Sequence, residues 1–138
     1  MSKPCSTDDL LFGLYRMSHQ EPDLRGRPLR AFRDPAYQPL CGNLAEVRAN
    51  IDRLDDEIVR LIAERAMYVK DAARFKRDNF QVSAPARQAE VFDKVAALAA
   101  RHNQGFQNLE AVVDATYRAM VAAFIANEQL YFNDMTEE

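Results

Sequence analysis

The sequence predicts an all-α protein built on three helices. Three observations carry that reading. Neither Gly nor Pro occurs between Asn43 and Ala84. Apolar residues in that stretch recur at alternating spacings of three and four, the mark of a helical stripe. Two later segments repeat the spacing, and no segment shows the strict alternation of a strand.

The first element starts at Asn43, where Glu46 follows three residues later and makes a capping box. Its stripe runs through Leu44, Val47, Ile51, Leu54, Ile58, Leu61 and Ile62, then Val69, Ala72 and Ala73. The helix is expected to reach about Arg77, with a loop beginning at Asp78 and Asn79. Ser83 and Pro85 open a second helix over about 84–102, with Val91, Val95 and Leu98 on one side. Asn103–Phe106, containing Gly105, reads as a turn. The third helix, about 108–132, carries Val113, Tyr117, Met120, Phe124 and Tyr131 on its stripe.

Residues 1–42 differ from the rest. They hold five of the six prolines and three of the four glycines. They read as a mostly irregular N-terminal extension, with residues 43–138 as the helical domain. One short helical candidate lies at Thr7–Met17. The stretch Asp23–Arg33 is basic and turn-prone. The extension is expected to wrap on the body or to be partly disordered, or else to serve as a docking segment or lid.

Composition narrows the function. The chain has 138 residues, 48% hydrophobic and 28% charged, which fits one globular domain rather than a disordered segment. No run of about 18 apolar residues predicts a membrane span. The first residues lack the apolar core of a signal peptide, so a cytoplasmic setting is expected, with Cys5 and Cys41 reduced. A net charge of -3 argues against a nucleic-acid partner, the Asp23–Arg33 arginines notwithstanding. Dinucleotide, P-loop, serine-hydrolase, zinc-protease and CxxC motifs are all missing, so no metal and no cofactor is expected.

Length points to assembly. A helix of about 34 residues spans about 50 Å, whereas a compact chain of this size is about 37 Å across. The stripe would project into water unless a partner helix covered it. An obligate homodimer is expected.

Polar residues interrupt the stripes. Arg65 continues the 51-54-58-61 series at a place suited to leucine. Lys76 follows eleven residues later, about 20° away on the same face and about 16 Å along the axis. The two cations could grip one small anion. Arg48 lies about 25 Å from Arg65 in the other direction, so it could serve only the equivalent site of an antiparallel partner. Glu128 falls on the third stripe, four residues after Phe124. Gln129 points about 100° away. Structural roles compete with these readings. Asp55, Asp56, Glu57 or Glu64 could pair with Arg65, and Lys76 suits a helix C-terminus. His19 and His102 read as surface residues.

Taken together, these residues resemble a family. The segments LAEVRANIDRLD (44–55) and IVRLIAER (58–65) look like the first helix of the all-helical chorismate mutases. MYVKDAARFK (67–76) and APAR (84–87) are closer to a subgroup, the isochorismate pyruvate lyases that make salicylate for siderophores. The likeness covers about residues 41–133. It implies an intertwined homodimer of three-helix chains with two shared sites. Arg48 of the partner and Arg65 would bind the two carboxylates of a dianionic substrate. Lys76 would hydrogen-bond the ether oxygen, and Arg87 would line the site. Glu128 stands where many members have glutamine. An ionised carboxylate would repel that oxygen, so Glu128 would have to be protonated, with activity rising toward acid pH. A small helix shift would present Gln129 instead. Gln88 stands where mutases often carry glutamate, which tilts the reading toward the lyase. The resemblance thus implies an isochorismate pyruvate lyase with secondary chorismate mutase activity. The alternatives are a true chorismate mutase and a catalytically silent helical dimer. The chemistry is pericyclic and needs no nucleophile or metal.

Overall fold

The computed structural model describes residues 20–137. The expected helix at Thr7–Met17, Cys5 and His19 lie outside the described residues. The chain is all-helical. Its elements are α1 (Leu44–Ala72), a 3-10 turn (Ala73–Phe75), α2 (Asn79–Ser83), α3 (Pro85–His102) and α4 (Leu109–Asp134), with no strand among the described residues. No helix among the described residues is long and apolar enough to cross a membrane.

Two compact units divide the chain at Ile58 and Val59, within α1. In the first unit, residues 20–43 form turns and bends without helix. Asp23 accepts a hydrogen bond from the Arg25 N–H (3.0 Å), and Asp34 accepts one from the Ala36 N–H (2.9 Å), each closing a local turn. Leu24 C=O accepts from the Ala45 N–H at 2.9 Å, which ties this segment to the first turn of α1. The capping box forms with one difference. Asn43 Oδ1 accepts from the Glu46 N–H at 2.9 Å, but the Glu46 carboxylate reaches back to the Gly42 N–H at 3.0 Å, one residue beyond the cap.

The second unit holds the core. α3 and α2 both pack on α4, and so does the 3-10 turn. Ala73, Val82, Val95, Ala99 and Val121 are buried there. On α3 the inner line runs through Val95 and Ala99, while Leu98 is 40% exposed. Spacing of four, rather than three, follows the face turned to α4. The turn after α3 is closed by Asn103, whose Oδ1 accepts from the Gly105 and Phe106 N–H groups at 3.1 and 2.8 Å. Gly105 adopts φ 102°, which a side chain would disfavour.

The long helix ends earlier than expected. α-Helix stops at Ala72, the 3-10 turn follows, and Lys76 is extended at φ -100°, ψ 141°. The reason is a competing cap. Asp78 Oδ1 accepts from the Gln81 N–H at 2.9 Å, and Gln81 Oε1 accepts from the Arg77 N–H at 2.6 Å. That pair starts α2 where a loop was expected. α2 ends at Ala84, which takes a left-handed conformation (φ 45°, ψ 57°) just before Pro85 opens α3.

Candidate active site

The corner built by the end of α1, α2, the start of α3 and the second half of α4 encloses a cavity of about 310 Å³. Arg65, Lys76, Arg87 and Glu128 all line it, as does Gln88. Four of the five residues singled out in the sequence therefore share one cavity. The fifth, Arg48, does not line it and is exposed on α1.

Local structure explains each placement. Arg65 sits on α1 with its guanidinium 5.2 Å from the centre of the Phe124 ring, a cation–π contact that holds it toward α4. Lys76 stands in the extended link after the 3-10 turn rather than on a helix face. Its ammonium donates to Gln81 C=O at 3.1 Å, so α2 steers it into the cavity. Arg87 lies in the first turn of α3, exposed, and pairs with Glu90. Gln88 donates its amide N–H to Ser83 C=O at 2.6 Å, which leaves its amide oxygen as an acceptor.

Glu128 is the chemically unusual member. It is 4% exposed, the one buried charged-type residue among the described residues. Its Oε1 lies 3.9 Å from Lys76 Nζ. Burial pushes its carboxyl above the ordinary range, and the nearby Lys76 opposes this without cancelling it. Glu128 thus holds its proton more tightly than a surface glutamate and can donate a hydrogen bond into the cavity. Gln129 is committed elsewhere. Its amide donates to Asn79 C=O at 3.0 Å and to Ser83 Oγ at 3.3 Å, pinning α2 to α4.

Ser83 was read in the sequence only as a helix opener. In the structure it forms cavity wall and joins Gln88 to Gln129. Its role depends on contacts across 46 positions of sequence, which no local pattern encodes. His102 ends α3, exposed and away from the cavity.

The cavity combines three cationic side chains, one buried carboxyl whose pKa is raised, and apolar walls that include Val82, Val121 and Phe124. Such a site suits a small, compact anion whose charge shifts during reaction.

Comparison with known proteins agrees with this chemistry. The family model described as chorismate mutase type II matches residues 47–129. The bifunctional chorismate mutase/prephenate dehydratase of Aquifex aeolicus is 36% identical over 87 residues, 62% of this chain and 24% of that protein. The chorismate mutase of Methanocaldococcus jannaschii is 38% identical over 61 residues, 44% of this chain and 62% of that protein. The isochorismate pyruvate lyase of Pseudomonas aeruginosa is 41% identical over 56 residues, 41% of this chain and 55% of that protein. The matches thus span between 24% and 62% of these relatives' lengths.

Proposed function

This chain belongs to the chorismate mutase type II family, and on that premise we propose that it is a pericyclic enzyme that converts isochorismate to salicylate and pyruvate. Rearrangement of chorismate to prephenate is its secondary activity. The observation that carries the reading is the gathering of Arg65, Lys76 and Arg87 with the buried Glu128, its pKa raised, in one cavity.

The residues suit the reaction. The substrate is a dianion, and guanidinium groups bind carboxylates through paired hydrogen bonds. Arg65 takes one carboxylate. Arg48 of a second copy takes the other, because its own helix carries it away from Arg65. In the lyase reaction a ring hydrogen moves to the enolpyruvyl methylene as the ether C–O bond breaks. The ring becomes salicylate and the side chain leaves as pyruvate, so atoms balance within one molecule. Negative charge grows on the ether oxygen. Lys76 and the neutral carboxyl of Glu128 are the donors that meet it. The apolar walls hold the substrate in a compact reactive shape and exclude water.

Homodimerisation belongs to the same proposal. α1 has no buried residue, and Ile51, Leu54 and Ile58 are 50%, 44% and 51% exposed. A second α1 laid against this stripe would cover it. A cytoplasmic setting fits the free thiol of Cys41.

A second reading, chorismate mutase proper, draws support from the two relatives whose names include that activity. Gln88 favours the lyase, because a neutral amide stands where a glutamate would select the chorismate ring hydroxyl.

The test is direct. Purified protein is incubated separately with isochorismate and chorismate from about pH 5 to about pH 8, following salicylate fluorescence and chorismate absorbance. Salicylate formation from isochorismate, faster than chorismate loss, is expected. Prephenate without salicylate would establish the second reading, and no turnover with intact dimer would make the chain a silent helical module.

A further inference from the structure

Three arginines among the described residues lie over aromatic rings: Arg65 over Phe124 at 5.2 Å, Arg74 over Phe75 at 5.6 Å and Arg118 over Phe92 at 4.4 Å. They differ in what else they hold. Arg74 pairs with Asp71 at 3.0 Å and Arg118 with Asp114 at 2.8 Å, and neither arginine lines the cavity of the candidate site. Arg65 does line it, and it forms no ion pair with a described residue. Glu64, one of the acidic residues near enough in sequence to take it, lies 3.9 Å from Arg60 instead. Phe124 is therefore the partner that the structure gives Arg65.

The difference has a chemical use. A carboxylate paired with Arg65 would occupy its guanidinium N–H groups, and an incoming carboxylate would have to displace it. An aromatic face attracts a cation through its quadrupole and makes no such paired bonds. The guanidinium is oriented, yet its fork of N–H donors stays available. Arg65 and Phe124 are both half-buried, which strengthens the attraction over that at an open surface. Phe124 lies on α4, four residues before Glu128, and both line the cavity. One face of α4 thus carries the ring that meets Arg65 and the buried carboxyl.

We propose that Phe124 is a positioning residue for Arg65: its ring orients the guanidinium without neutralising it, and so prepares it for a carboxylate of the ligand. This rests on the reading of Arg65 as a carboxylate-binding residue. The ring acts through Arg65 and makes no bond to the reacting atoms. Orientation in advance removes part of the ordering cost from binding. The effect therefore falls on affinity rather than on the bond-breaking step.

The experiment replaces Phe124 in the full-length chain by phenylalanines carrying one, two and three ring fluorines. Fluorine leaves the ring's size nearly unchanged and withdraws negative charge from its face step by step. Two constants are followed: KM for whichever of isochorismate or chorismate is turned over, and the Kd of isophthalate, an unreactive dicarboxylate, by calorimetry. Both are expected to rise with each fluorine, to about threefold to tenfold above wild type, with kcat changed less than KM. Phe124→Leu, apolar but without a π face, should match the most fluorinated ring, and Phe124→Tyr, which keeps the face, should stay near wild type. A ring that serves only as apolar wall would leave both constants level across the fluorinated series. Level constants in folded proteins overturn the proposal and leave the reaction as read. Absence of turnover on either substrate removes the proposed function, while the isophthalate titration still decides the role of Phe124. A Kd that climbs with fluorine then supports it, and a level Kd or no binding overturns it.

Discussion

Lys76→Met tests the charge argument most directly. The substitution keeps most of the stem's volume and removes the ammonium. Lys76 Nζ makes one hydrogen bond to protein, to Gln81 C=O at 3.1 Å, and its side chain is 23% exposed. In the proposed reaction its remaining N–H groups would meet the substrate's ether oxygen. Losing one pre-placed donor from a partly dry cavity costs about 100-fold to 1,000-fold in kcat, or about 2.7–4 kcal/mol of transition-state stabilisation. The loss should fall on kcat more than on KM, because the interaction strengthens as charge develops. Stability should fall less, by about 1.5–3 kcal/mol at most, as one charged hydrogen bond is lost. Glu128 limits that damage, since it can stay protonated when its lysine is gone. The assay pairs steady-state kinetics with thermal melts of both proteins. A variant that folds and keeps kcat within about threefold of wild type would refute the reasoning.

Glu128→Gln carries two expectations. Where wild-type activity falls as Glu128 ionises, about tenfold per pH unit above its pKa, the variant's profile should stay flat, and pH–rate curves check it. Stability follows the same proton. The folded pKa is raised above the ordinary 4.5, so the folded state binds the proton more tightly than the unfolded chain. This contribution is complete below pH about 4.5 and is lost as pH rises through the folded value, so the variant's melting advantage should grow with pH over that window and then level off. A constant gap would contradict the buried neutral carboxyl. Gln129→Ala frees α2 from α4 and should destabilise by about 1–2 kcal/mol in denaturant melts, with a parallel loss of activity as Ser83 and Lys76 lose their support. Leu54→Glu places a charge on the apolar stripe of α1. Sedimentation should show monomer, and specific activity should become concentration-dependent; an unaltered dimer would mean the stripe is covered by something other than a second copy.

The three long helices were legible because each keeps one apolar face at helical spacing. Asn43 and Glu46 marked the start of α1, and Pro85 the start of α3, since caps act within four residues. α2 was also written in the sequence. Asp78 and Gln81 form a capping box of the same type as Asn43 and Glu46, but five residues bury too little to leave a stripe. Its cost was the end of α1, which stops at Ala72, ahead of the 3-10 turn and the Arg77 N–H that the new cap holds. Lys76 reaches the cavity of Arg65 by a different route from the one its helical spacing suggested. Helical periodicity put it on the face of Arg65, whereas an extended residue and the Gln81 carbonyl bring it to the same cavity. Ser83 was invisible because its partners come from elements far apart in the chain. The rotation of α4 was not written locally either. The hold of Gln129 on Asn79 and Ser83, which leaves Glu128 to the cavity, appears only once α2 and α4 are packed.

The polar breaks in the stripes have a common energetic meaning. A seam position filled by Arg65, a buried Glu128 and a half-buried Lys76 are each poorer choices for stability than leucine or valine would be. Removing ionisable groups from water costs several kcal/mol apiece, and the pairing of such groups repays this only in part. The Lys76–Glu128 distance of 3.9 Å is long for a stabilising buried pair. Burial raises the Glu128 pKa despite the nearby Lys76, so the pair offsets only part of the cost of burying the carboxylate. Three unfavourable choices at separate places in the chain would be expected to scatter over the surface if each were incidental. Instead all three line one cavity. The cost is concentrated in one cavity, and that convergence, more than any single residue, is what supports the proposed pericyclic chemistry.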